Sequence, residues 1–347
     1  MSRATHDAPL ARRDRAWREA QEEELAPLAA RAARSRGRAE PEEPCALRTD
    51  FERDRDRVLH SKAFRRLKHK TQVFLDPEGD HFVTRLTHVL QVTQVARSLA
   101  RALGLNEGLA EAIALAHDCG HTPFGHTGEE ALGPYFADGW HHARQGVRLF
   151  AVLEPLNLTW EVRDGIRAHS WSVDPPPATA EGECVRLADR IAYLSHDTLD
   201  ALRAGVLSAD DLPADPLRVL GRPGTEWVDA MVRGAVDHAA RQGAVAMEPE
   251  VLAAMGELRA FLFERVYLAG ENRRRHSEAV DTIRRLMDHL LANPHEVPDS
   301  YRDEQADLTT QCADFVAGMT DRYALALHDE VVRPRLFAPP PRLGDPT

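Results

Sequence analysis

The chain has 347 residues, 43% of them hydrophobic, and a net charge of −11. That length exceeds the roughly 150 residues of an average domain and can bury a large core in one domain or two. No apolar run approaches the ~20 residues of a membrane span, the charged N-terminus is no signal peptide, and four scattered cysteines form no CxxC pair. These features exclude a transmembrane helix and a disulfide framework, argue against a general nucleic-acid binder, and lead us to expect the cytoplasm.

Residues 1–47 are rich in Arg, Glu and Ala and end in a break at Pro41 and Pro44. They read as a charged helix or partly disordered arm followed by a linker. Residues 48–70 read as a helix with Phe51, Val58, Leu59 and Ala63 on its buried side. Lys62, Lys68 and Lys70, the only lysines, lie here beside Arg65 and Arg66. This cluster suits either a polyanion or a solvated or subunit-contact face. The segment 71–84 carries a turn at Pro77-Glu78-Gly79-Asp80 and allows a small hairpin.

Residues 81–126 are the centre of the pattern. Val89, Val92, Ala96, Leu99 and Leu103 recur at helical spacing, with His88 beside the stripe near the helix start. A second helix, capped by Asn106, buries Leu109, Ala112, Ile113 and Ala116 and runs straight into His117-Asp118. Gly120, Pro123 and Gly125 stop it in a loop carrying His121 and His126. Imidazole with carboxylate, without a thiolate cluster, suits a divalent metal. Two helices joined by a short turn can bring His88 beside His117-Asp118. A further ligand must come from later in the chain.

A short helix is expected over 127–139, another opening at Trp140-His141-His142, and a third over 160–169. A proline-rich loop at 174–182 precedes a strong helix at 183–203, which carries Asp189, Tyr193, His196 and Asp197. Residues 211–225 read as a loop with Pro213, Pro216, Pro223 and Gly224. Helical stretches follow at 226–241, 248–268, 276–292 and 303–331, then a proline-rich tail. The class is all-α, with at most a small β-hairpin. The expected division is an arm at 1–47, a core at 48–210, a C-terminal helical region at 211–335 packed on it, and a tail at 336–347. Asp189, mid-helix among apolar neighbours, is the best remaining ligand, because an unpaired carboxylate there is costly.

RLTH at 85–88, AHDCGHTPFGH at 116–126 and LADRIAY at 187–193 resemble the HD-domain phosphohydrolases. More narrowly, RTDFERDRDRVLHSKAFRRLKHKTQVF, GDHFVTRLTH, LNLTWEV, LADRIAYLSHD and DFVAGMTDRYAL resemble the deoxyguanosinetriphosphate triphosphohydrolase-like proteins over roughly 45–330. The resemblance implies hydrolysis of a deoxynucleoside triphosphate to deoxynucleoside and inorganic triphosphate. It implies a divalent metal, manganese or magnesium first, with cobalt, iron or nickel as alternatives, on His88, His117, Asp118 and Asp189. It assigns acid–base work to His121, Glu129 and His142, with His126 near the phosphates. Arg85 and Arg190 fall to phosphate, Tyr193 to the C2′ side of the sugar, and Asp197 and Gln72 to the rest of the sugar.

Homo-oligomers are expected by the same likeness. An activating second nucleotide is suggested by Arg53 to Arg57 and Arg273-Arg274-Arg275. The chain departs from the family pattern at Cys119, where Leu is usual, and at His141 and Ala143, where Glu and Asn are usual. Two other readings stand beside this one. The first is an HD-type phosphomonoesterase or nuclease acting on nucleotides or single-stranded DNA. The second is a catalytically weak dNTP sensor. Neither a GxxxxGK[ST] loop nor an HExxH motif is present.

Overall fold

The computed structural model describes residues 11–72, 83–268 and 270–332. Among them the fold is all-α. Its helices are α1 (Arg15–Glu22), α2 (Asp50–His60), α3 (Lys62–Arg66), α4 (Arg85–Ala102), α5 (Glu107–Ala116), α6 (His126–Leu132), α7 (His142–Arg148), α8 (Trp160–Ala168) and α9 (Ala180–Arg203). Then come α10 (Ala214–Leu220), α11 (Thr225–Gln242), α12 (Pro249–Leu262), α13 (Gly270–Ala292), α14 (Leu308–Gly318) and α15 (Asp321–Val332). One isolated antiparallel bridge, Thr71 to Thr84, is the only β pairing among the described residues. It flanks the expected hairpin, most of which lies outside them, as does the tail at 336–347.

Four local readings are corrected. The helix expected over 48–70 breaks at Ser61, which closes α2 and whose hydroxyl accepts from Phe64 N to cap α3. Leu59, expected inside, is exposed, since that break ends the face it would have joined. The loop expected at 211–225 contains α10. Its Pro216 falls in the first turn, where a backbone N–H has no helical partner to lose. The last stretch divides into α14 and α15 around Met319 and Thr320.

The centre of the molecule is α4 packed on both α5 and α9, with α2 and α8 also against α5. Asn106 caps α5 by accepting from Leu109 N at 3.1 Å, as its position suggested. Its own backbone N–H and that of Ala30 both donate to Glu181, tying the N-terminal arm to the start of α9. Leu109, Ala112, Ile113 and Ala116 are wholly buried. Truncating such a residue as Ile113 to Ala costs about 2–5 kcal/mol. A second apolar cluster joins α6 to α13, α14 and α15 through Leu132, Ile283, Leu286, Met287 and Val316. α6 therefore hangs the histidine loop between the two clusters. No helix among the described residues is long and apolar enough to cross a membrane.

Candidate metal centre and active-site cavity

α5 ends at Ala116, so His117 is its C-cap and wholly buried. Its Nδ1 lies 2.6 Å from the Ala114 carbonyl, which can only accept, so the ring proton sits there. That leaves the Nε2 lone pair free, and it has no hydrogen-bond partner. His88 reaches the same point from the first turn of α4, with Nε2 3.0 Å from Asp189 Oδ1 on α9. His117 Nε2 is 3.5 Å from Asp118 Oδ1 and 3.9 Å from Asp189 Oδ1. Ligand atoms of His88, His117 and Asp189 lie within 4.8 Å of one another. Asp118 Oδ2 stands 3.8 Å from His88 Nε2. The turn between α4 and α5 thus delivers His88 beside His117, as the spacing suggested.

The electrostatics fit a cation. Burial alone would raise both carboxylates. For Asp118, His117, His121 and Arg85 outweigh it and hold the group well below the usual carboxylate range. For Asp189, the His88 hydrogen bond and His117 bring it down to about 2. His88, His117 and Asp189 converge with the ionised Asp118 beside them, a donor set that suits a divalent metal, and the orphaned His117 Nε2 is the atom it would satisfy.

The loop after His117 forms the next wall. Gly125 has φ +58, and a Cβ there would lie 2.1 Å from Arg85 Nη2. Glycine is required by both backbone and space. Arg85 is buried and donates from Nη1 to Asp118 Oδ2 at 2.7 Å. His121 places Nε2 3.0 Å from Asp118 Oδ1 and stacks on His142 with ring centroids 3.8 Å apart. Burial, Arg85 and His142 push His121 well below the usual imidazole range, so it is neutral. Glu129 accepts from His142 Nδ1 at 2.9 Å and lies 3.2 Å from Nδ1 of the exposed His126. Burial would raise Glu129, but His142 and His126 hold it far below the usual range. His121, His126, Glu129 and His142 therefore meet as one group. The loop is fastened from behind by the buried Lys70, whose ammonium donates to the carbonyls of His121 and Ala317.

These groups line one side of a cavity of about 520 Å³. Gln72, Arg190, Tyr193 and Asp197 line it too, so of the residues that the resemblance assigned to metal, catalysis or substrate only the deeply set His117 is absent from its wall. Arg190 lies over the Trp171 ring at 3.6 Å. Tyr193 and Asp197 share a face of α9 with Asp189. Asp197 is buried and accepts from Tyr267 Oη at 2.7 Å. Burial raises its carboxyl to about 7 against that hydrogen bond.

Several lining residues escaped the sequence reading. Arg259, Phe263, Tyr267 and Leu268 come from α12 and the π-turn that ends it, and His276 comes from α13. No motif marks them. His169 did leave a sign, since α8 ends in Ala-His just as α5 does. It is buried, donates from Nδ1 to the Ile166 carbonyl at 2.7 Å, and stands with Nε2 3.0 Å from His142 Nε2. Burial and the neighbouring imidazoles lower it to about 3.

Residues 85–194 match the HD domain and residues 245–330 the phosphohydrolase-associated domain. The fold and site are therefore those of an HD-type phosphohydrolase, and HD domains bind divalent metals. A solved phosphohydrolase from Bacteroides thetaiotaomicron shares the fold, with TM-score 0.50 at 18% identity over 81% of this chain and 69% of that one. A deoxyguanosinetriphosphate triphosphohydrolase-like protein from Caldanaerobacter subterraneus subsp. tengcongensis is 48% identical over 89% of this chain and 93% of its own. Another, from Desulfatibacillum aliphaticivorans, is 43% identical over 89% and 95%. The chain belongs to the deoxyguanosinetriphosphate triphosphohydrolase-like family.

Proposed function

We propose that this cavity hydrolyses deoxynucleoside triphosphates to deoxynucleoside and inorganic triphosphate, with a divalent metal, manganese or magnesium first, held by His88, His117, Asp118 and Asp189. The observation that carries the reading is the buried, unpartnered Nε2 of His117 converging with His88 and Asp189. When bound, the metal supplies Lewis acidity at an α-phosphate oxygen and lowers the pKa of water.

The chain's own groups supply the rest. Arg85, fixed by Asp118, and Arg190, held over the Trp171 ring, bring positive charge to the triphosphate. His126 stands at the solvent edge with Glu129 behind its Nδ1, an arrangement that suits delivery of a proton to the departing 5′ oxygen. His121 and His142 orient the attacking water from the buried side. Tyr193 closes the sugar site against a 2′-hydroxyl, while Asp197 and Gln72, whose buried Oε1 has no partner, receive the sugar's remaining hydroxyl.

On this reading 48–210 is the catalytic core, 211–335 the helical region packed on it, and the protein works in the cytoplasm as a homo-oligomer. Arg53 and Arg57 both pair with Glu42, and Arg55 with Asp56. An activating nucleotide on that segment would have to displace those carboxylates.

The test is a product assay with each dNTP and rNTP, alone and mixed, with Mn or Mg, against His117→Ala. Deoxynucleoside plus triphosphate from dNTPs only, lost in the variant together with bound metal, is expected. The loss should exceed the ~10–100-fold that a mere outer-shell partner of a metal costs. Release of orthophosphate or pyrophosphate would make the protein another kind of HD hydrolase. Binding without turnover would make it a sensor.

A further inference from the structure

DFVAGMTDRYAL at 314–325 has no task in the chemistry above. It spans the junction of α14 and α15, inside the region that matches the phosphohydrolase-associated domain. Yet Asp314, Ala317 and Asp321 all reach toward the histidine side of the cavity. The buried Asp314 accepts from Gln145 Nε2 at 2.8 Å and Arg148 Nη2 at 2.7 Å, both on α7 beyond His142. The Ala317 carbonyl accepts at 2.9 Å from Lys70 Nζ, which also donates to the His121 carbonyl. Asp321, buried in the first turn of α15, accepts on Oδ1 from Phe124 N at 2.9 Å. Its Oδ2 accepts from Thr71 N at 2.9 Å and Thr71 Oγ1 at 2.7 Å.

Phe124 is where the histidine loop most needs holding. Its φ is +61, a left-handed conformation that a bulky residue rarely adopts, and Gly125 follows at φ +58. Such a turn persists only where its surroundings fix it. His121 stands just before this turn, and His126 just after it opens α6. Thr71 bridges to Thr84 at the head of α4 and precedes Gln72 on the cavity wall. Asp321 itself is not on that wall. We propose that Asp321 is a positioning residue for the reaction. One carboxylate oxygen holds Phe124-Gly125 in the turn that aims His121 and His126, and the other holds Thr71 and so places Gln72. What the aimed side chains do rests on the proposed function above. A carboxylate suits this role because it offers two acceptors and no donor to three donors from two segments. An amide there would set N–H against N–H in either orientation.

The test compares the full chain with Asp321→Ala and Asp321→Asn. Amide hydrogen exchange, followed by mass spectrometry, is expected to quicken at least about fivefold over 119–126 in both variants and to stay unchanged over α5 and α9. A reacting group misplaced by about 1 Å can lose about a hundredfold in rate. Steady-state turnover of dNTPs with manganese should therefore show kcat about a hundredfold lower in Asp321→Ala, with KM raised by no more than about fivefold, the worth of the Gln72 contact. Asp321→Asn should fall between that variant and the wild type, because it keeps one acceptor. If Asp321→Ala does not fold, Asp321→Asn, which keeps the shape, decides by the same two readings. Unchanged exchange over 119–126, or a rise in KM that matches the fall in kcat, would overturn the proposal. Faster exchange spread equally over α5 and α9 would make Asp321 a general fold residue and overturn it too. Exchange is read without substrate. It decides the placement even if the wild type turns over no dNTP, an outcome that would sink the proposed function instead.

Discussion

The two sides of the cavity are built by different means. The histidine side comes from α4, α5, α7, α8 and α9, with His88, His117, Asp118, His142 and His169 all buried. The facing side comes from the π-turn after α12 and the start of α13, where Phe263 is 40% and Leu268 46% exposed. On the proposed function, the groups that would hold a cation at fixed distances are carried on helices locked into the core. The groups that would meet the organic part of the substrate stand on a thin, half-exposed turn, where side chains have room to adjust. The difference teaches that a rigid wall here is a matter of backbone contact rather than of residue type.

That contrast is broken most directly at Gly120. A Cβ there would lie 2.2 Å from the His142 carbonyl and 2.3 Å from Gly146 N, both backbone. α7 would have to move, carrying His142 away from His169. Gly120→Ala should cost about 3 kcal/mol or more in urea unfolding, as overpacking does when no flexible side chain can yield. Phe263→Ala on the facing side should cost far less, about 0.5 kcal/mol. Equal losses would mean that the two sides are equally rigid.

Two carboxylates of α9, one toward each side, should also answer pH in opposite senses. Asp189 is lowered to about 2 in the fold, so its contribution is present above the unfolded value of about 3.9 and is lost as pH falls through the folded one. Asp197, beside Tyr267, is raised to about 7. Its contribution to stability is fully present below the unfolded value of about 3.9 and is lost as pH rises through the folded value of about 7. Asp197→Asn should therefore match the wild type near pH 4 and exceed it at pH 8, by up to about 4 kcal/mol. Thermal unfolding at the two pH values checks this. A variant less stable than wild type at pH 8 would show that the carboxylate is compensated in the fold.

The sequence disclosed these sides unequally, for physical reasons. The class, the capped helix at Asn106 and the run into His117-Asp118 were readable because periodicity and capping are local. The grouping of His121, Glu129 and His142 came through the family resemblance, and the structure brings these residues together. α10 was missed because prolines in a first turn look like a loop. Tyr267 was unreadable because its partner, Asp197, lies on another helix, and a tyrosine among apolar residues looks like core. His169 was half readable, since an Ala-His helix end had already been singled out once at His117.

Tyr267 offers the smallest and sharpest separation of the two sides. Its hydroxyl donates to Asp197 Oδ2 at 2.7 Å and touches neither the histidines nor the carboxylates of the candidate metal site by hydrogen bond. Tyr267→Phe keeps the ring and removes only that bond, worth about 1 kcal/mol net, or about fivefold in an equilibrium. If the facing side positions the sugar and takes no part in the chemistry, steady-state kinetics should show KM for dNTPs rising about fivefold with kcat within about twofold, because ground and transition states lose the same contact. A fall in kcat larger than the rise in KM would place Tyr267 with the reacting groups. The division between a wall that reacts and a wall that recognises would then not hold.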